Sequence, residues 1–495
     1  MTSLNLRLHL IYLLLAFIFY HCNPEPHTSK KNLDEAILSD TSSFYYVDVT
    51  NYPVKNKKLP IGIFDSGTGG LTVMDAIVNY DGFNNQNKTL SSDGILDFEK
   101  ECFIYLADQA NMPYGNYPSL GKTDVLKEHI LKDFQFLLSN KYYQSSGDEE
   151  FKIDKTPVKA IVIACNTATA YGMDDIETFL KKAKLDIKVI GVINAGVKGA
   201  FENIAKDENC SIGVMATEGT VLSEGYVNTI NKYHSDLNYK EEIQTFQQAG
   251  IGLAGAIDGV IDYINTQATE IRKEYKGPSL TSKDAKIDIS ILNRYNFDWS
   301  KNHLLYSGDK INPTEIQINS IENYIYYNVV SLLEQIRKSQ TAKPLKTIIL
   351  GCTHYPFYKN IFAQKLEELY NLKEEGNYVY RKFMHKEITL IDPALNTAKE
   401  LYEYLGENNL FGDNELNKSE FYISVPNVQN KNIKLDLLGN FTYEYKYGRT
   451  AGIIQEYVKQ VPFNKSNLHP DVIKMLKEKT PLIFKLITDF NQTNS

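Results

Sequence analysis

Cysteine is scarce: the 495-residue chain has five, Cys22, Cys102, Cys165, Cys210 and Cys352. They are too scattered for a disulfide framework, and no C-x-x-C pair occurs, which argues against a zinc ribbon or a thioredoxin-like dithiol. A surplus of positive charge is also missing. The net charge is −8 and Lys and Arg are dispersed, so there is no basic stripe of the kind a phosphate backbone selects, and nucleic acid is not expected as a partner. Long apolar runs are absent too. HLIYLLLAFIFY, after Arg7, is too short to span a bilayer comfortably but suits the apolar region of a signal peptide. Cys22 follows it as the acylated cysteine of a lipoprotein would, with His21 where a small residue is usual. Residues 1–22 are therefore expected to export the chain or anchor it to a membrane, with a cytoplasmic location as the alternative.

With 43% hydrophobic residues, the chain is long enough for a sizeable core and more than one domain. Residues 23–58 are polar and aperiodic and read as a tether. Beyond them, short β-branched runs (PIGIFD, CFIYLAD, VKAIVIAC, IKVIGVI, SIGVMAT, KTIILGC, EITLID) alternate with longer amphipathic stretches. Strands buried on both faces read as continuous apolar runs, so this alternation predicts parallel α/β construction. Ligands in such sheets lie beyond the carboxyl ends of the strands. Residues 84–94, 266–315 and 412–495 look like additions to a compact core and carry no catalytic signal.

Two of the apolar runs end on a thiol: IVIAC, closing at Cys165, and IILGC, closing at Cys352, each followed by polar residues. Either cysteine alone reads as a small buried hydrophobe. Together they fit a cleft with one thiol on each side. Inverting a stereocentre needs one base to remove the α-proton and one acid to return a proton on the opposite face, and a thiolate and a thiol can coexist near neutral pH if charge or hydrogen bonding tunes them. Asp65 and His354, beside the strand ends, are available as helpers. The turn Ser66-Gly67-Thr68-Gly69-Gly70 after Asp65 is neither a Rossmann fingerprint nor a P-loop, and is expected to aim backbone amides at a small carboxylate.

In order along the chain, IFDSGTGGLTV, DQANMPYG, ACNTATA, GVMATEGTVLSEGY and LGCTHYP resemble the successive motifs of the aspartate/glutamate racemase family, most of all its cofactor-independent glutamate racemases. The resemblance covers about residues 59–400. It implies two similar parallel-sheet α/β domains related by pseudo-two-fold symmetry, residues 59–188 plus 390–460 and residues 189–389, with the active site in the cleft between them and a C-terminal extension at 461–495. It implies Cys165 and Cys352 as the catalytic acid/base pair, facing D- and L-glutamate respectively, with Asp65 and His354 assisting. Asp65, Ser66, Pro113, Tyr114, Gly115, Asn166, Thr167 and Thr353 would hold the substrate. It further implies no metal or other cofactor, a small-molecule substrate, a homodimer as a candidate assembly, and D-glutamate supplied to peptidoglycan. Asn194-Ala195, QQAGIG (247–252) and Asp258-Gly259 depart from the family pattern; the last stands where Glu-Gly is common. The alternatives are an aspartate or broad-specificity racemase, and a binding lipoprotein that has lost turnover.

Overall fold

The computed structural model describes residues 33–464, 467 and 470–493. The leader and Cys22 lie outside these residues. Among the described residues no helix is long and apolar enough to cross a membrane.

The apolar runs form two sheets. The first holds β1 (Ile61–Asp65), β2 (Phe103–Ala107), β3 (Ala160–Ile163) and β4 (Lys188–Gly191). The second holds β5 (Cys210–Ala216), β6 (Ile243–Ala249), β7 (Leu345–Gly351) and β8 (Met384–Ile391). Both are parallel, and in each the chain's first strand lies between its second and third, with the fourth beyond the third. This shared order is the topological basis of the pseudo-two-fold relation. Every residue of β1, β2 and β5 is buried, as expected for strands covered by helices on both faces.

The chain leaves the first half through α3 (Val192–Phe201) and returns to it through α4 (Pro393–Glu407). α2 (Asn166–Ala183) and α1 (Leu71–Val78) belong to the first half. The two crossover helices pack against each other, and the approach is close: a Cβ on Gly199 would lie 2.3 Å from the Asn396 side chain. Among the described residues the chain passes between the sheets through these two helices, and their contact is one of the places where the two halves meet.

After α4, β9 (Glu420–Pro426) joins β2 in parallel and β10 (Val458–Pro462) pairs antiparallel with β9. Two of the segments set outside the compact core, the N-terminal tether and the C-terminal extension, are in fact structural. From Leu33 onward the expected tether is packed: Leu33, Ile37, Phe44, Tyr45, Val47 and Tyr52 are buried in the first half's core, and the Tyr52 hydroxyl donates to the Val158 carbonyl at 2.7 Å. At the other end, Leu476, Ile483, Leu486, Ile487 and Phe490, from α6 (Pro470–Lys479) and α7 (Pro481–Thr493), join the same core. Ile483, Leu486, Ile487 and Phe490 recur at i, i+3, i+4 and i+7 and form one apolar helix face, whereas Phe44, Tyr45, Val47 and Tyr52 follow no structural period and fill separate gaps outside the sheet.

Candidate active site

In each half the strand order reverses between the first and third strands, where the loops diverge and leave a crevice. Asp65 ends β1 and Cys165 follows β3; in the second half Cys352 follows β7. The two thiols thus occupy equivalent places in two similar sheets. A direct link joins them: the Asn166 side-chain amide donates to the Gly351 carbonyl at 3.1 Å, and the buried Tyr226 hydroxyl donates to Asn166 Oδ1 at 3.1 Å. Asn166 follows one cysteine and Gly351 precedes the other, so the bond clasps the halves beside both sulfurs.

Cys165 caps α2, with the Ala168 amide donating to its Sγ at 3.4 Å, and Ser66 Oγ lies 3.6 Å from the same sulfur. A helix N-terminus and a donated N–H both favour a thiolate. They are outweighed. Burial and the neighbouring Asp65 charge push the Cys165 thiol up to about 12, so it holds its proton. Burial also raises Asp65, despite amides that favour its charged form. Asp65 Oδ2 accepts from Gly67 at 3.1 Å and from Gly70 at 3.0 Å. The glycine turn expected to aim its amides at a ligand therefore spends these two on Asp65. Gly70 is required by close approach, since a Cβ there would fall 2.6 Å from the Asp65 Cβ and 2.9 Å from that of Ala164.

The second thiol has a different neighbour. Cys352 Sγ is 3.5 Å from His354 Nδ1, and His354 Nε2 is 3.2 Å from Asp258 Oδ1. Burial alone would lower His354, but hydrogen bonds and charge from Asp258 and Cys352 prevail and push it up to about 10. An imidazolium then stands beside one sulfur while a carboxyl stands beside the other. Asp258 was visible in the sequence only as a departure from Glu-Gly; its role appears once the fold brings it to His354.

Thr353 and Asn166 line a small cleft with Cys352 and Val73, and Thr167 is half-buried in the first turn of α2. Pro113 is exposed, while Gly115 faces the second half, where a Cβ would find Gly219 Cα at 3.9 Å. Tyr114 is the exception among the expected substrate contacts. Its side chain is buried away from solvent, with the hydroxyl 2.6 Å from both Asp108 and Asp133. One hydroxyl hydrogen cannot serve two carboxylates. Burial and the Asp108 charge push Asp133 well above the carboxylate range, so Asp133 keeps a proton to donate and Tyr114 donates to Asp108. Any substrate contact from Tyr114 must therefore come from its backbone.

No family model matches the chain. Among curated proteins, a glutamate racemase of Oceanobacillus iheyensis is 25% identical over 356 residues, covering 72% of this chain and 82% of the relative. A glutamate racemase of Aquifex pyrophilus is 29% identical over 279 residues, 56% of this chain and 87% of the relative. The solved structure of a glutamate racemase isoform from Bacillus anthracis aligns at 22% identity over 74% of this chain and 88% of that one, with a TM-score of 0.40; at that score the likeness adds nothing to the topology above. The curated similarities run through most of both chains, so over about three quarters of its length this chain is similar to glutamate racemases, in agreement with the resemblance of its ordered motifs, two of which close on topologically equivalent thiols.

Proposed function

We propose that the protein is a cofactor-independent glutamate racemase that interconverts L- and D-glutamate by proton transfer between two thiols, supplying D-glutamate for peptidoglycan. The observation that carries this reading is the Asn166 clasp, which ties the residue after Cys165 to the residue before Cys352, its topological equivalent in the other half, while the two sulfurs have unlike neighbours. The unlike neighbours of the two sulfurs suit one direction directly. The His354 imidazolium beside Cys352 suits that sulfur to act as the base that removes the α-proton of L-glutamate; Cys165, still protonated, delivers its proton to the opposite face and D-glutamate results. In the reverse direction Cys165 must first lose its proton. Asp65, held above the usual carboxylate range by burial, is a fitting acceptor. Both transfers are made by side chains, so the reaction requires no cofactor. Ser66, Asn166, Thr167, Thr353 and the backbone of residues 113–115 offer hydroxyls and amides to the two substrate carboxylates.

The test is circular dichroism of the full chain with each enantiomer of glutamate and of aspartate. Decay of the signal from both glutamate enantiomers, and slower or no decay from aspartate, is expected. Faster turnover of aspartate would reassign the substrate, and turnover of none would favour a binding protein.

A further inference from the structure

The 427–457 excursion between β9 and β10 held no signal in the sequence, yet it is built around one side chain. Arg449 is buried, its guanidinium 5.1 to 5.7 Å from the ring centres of Phe441, Tyr445 and Tyr457, all from the same excursion. Its Nε donates to the Lys446 carbonyl at 3.1 Å, which fixes the plane of the group. The free edge points out of the excursion. Nη2 donates to Asn111 Oδ1 at 2.7 Å and to the Tyr117 hydroxyl at 3.1 Å. These acceptors flank Met112 to Gly115, the loop read as a substrate contact. Lys446, on α5 (Tyr443–Gly448), adds a second tie by donating to the Met112 carbonyl at 2.6 Å.

The ties continue towards the catalytic strand ends. Asn111 donates to both oxygens of Asp108, which also accepts from Tyr114, and the Asp108 amide donates to the Asp65 carbonyl at 2.9 Å. A cation caged by aromatic rings is immobilised at low entropic cost, and a guanidinium orients its acceptors more strictly than an ammonium does. A segment needed only to cover the sheet has no use for such a group aimed at this loop.

We propose that the 427–457 excursion is a strap that positions the substrate loop, with Arg449 and Lys446 as the positioning residues. The proposal rests on the racemase reading for the identity of the substrate. The strap acts through the loop and touches no reacting atom. It therefore governs how well the backbone of residues 113–115 meets the substrate, and its loss removes binding that ground state and transition state share.

The test uses the full chain carrying Arg449→Lys or Lys446→Met, with two readouts. Amide exchange across residues 109–121 is expected to quicken about tenfold or more in both variants while β1–β4 stay protected. KM for glutamate is expected to rise about tenfold with kcat within about twofold. If Arg449→Lys does not fold, Lys446→Met decides alone, because the Lys446 side chain is only half-buried. Unchanged KM in the folded variants overturns the strap, as does faster exchange with KM unmoved, or a fall in kcat at constant KM. A wild-type chain that neither binds nor turns over glutamate overturns the racemase reading, and the strap's substrate role falls with it; a wild-type chain that racemises while the variants keep its KM overturns the strap alone.

Discussion

Replacing Asp258 with Asn removes a negative charge 3.2 Å from His354 and leaves a side chain of nearly the same size. Two unit charges at that distance interact by about 5 kcal/mol at an effective dielectric of 20 and by about 1.3 kcal/mol at 80. The Asp258 side chain is 40% exposed, so solvent screens the pair and the lower part of that range applies, roughly 2 kcal/mol or about 1.5 pKa units. His354 should then titrate about 1–2 units below its position near 10. The sign is fixed by the charge removed: the imidazolium loses a partner, so its proton leaves at lower pH. The alkaline limb of kcat/KM should move down by the same amount. Stability follows the same logic. A histidine raised in the folded state stabilises fully below its ordinary value of 6.5, and that contribution disappears as pH rises towards about 10. The wild type should thus lose melting temperature between these limits, and Asp258→Asn should lose less. The assay is NMR of labelled histidine, with the His354 signal assigned through His354→Gln. A titration that stays in place in Asp258→Asn, or moves upward, refutes the reasoning.

Asn166→Ala would leave the buried Tyr226 hydroxyl and the Gly351 carbonyl without their partner, at a cost of about 1–3 kcal/mol; kcat/KM measured by circular dichroism should fall at least about tenfold. Lys159 is buried, 2.6 Å from Glu101, and also donates to the Lys57 and Leu410 carbonyls. Lys159→Met should destabilise the first half by about 3–5 kcal/mol in urea unfolding, and adding Glu101→Gln should recover part of the loss; no recovery would show that the carboxylate was not the problem. For the leader, cell fractionation should find the full chain with membranes and a chain beginning at Asn23 in the soluble fraction. Equal solubility of the two would remove the targeting proposal.

The parallel α/β plan was legible because doubly covered strands are written as unbroken apolar runs, and the thiol sites because each motif is contiguous: Cys165 with Asn166 and Thr167, Cys352 with Thr353 and His354. What depends on pairing distant segments was not. Asp258 meets His354 only through the fold, and nothing local to Asp258-Gly259 marks it as an acid partner. Tyr114 stands in a motif associated with substrate, yet its ring turns to Asp108 and Asp133, a choice made by residues of a strand end and a helix. Phe44, Tyr45 and Tyr52 looked like part of a tether because each fills its own gap and none repeats at a structural period. Arg449 was hidden for a similar reason: its cage is assembled from residues on both sides of it, and its targets lie more than three hundred positions away.

The central claim is that one thiol from each half acts on its own face of the α-carbon. The measurement is the rate of racemisation and of elimination in Cys165→Ser and Cys352→Ser, using each enantiomer of a glutamate with chloride on the β-carbon for the elimination. Loss of racemisation by orders of magnitude is expected in both variants, because a serine hydroxyl is far too weak an acid to serve as a thiolate-like base. Elimination needs only removal of the α-proton and departure of chloride. Cys165→Ser should still eliminate from the L-enantiomer through Cys352, and Cys352→Ser from the D-enantiomer through Cys165. Racemisation undiminished in either variant, or the same enantiomer preference in both, would contradict the two-thiol account.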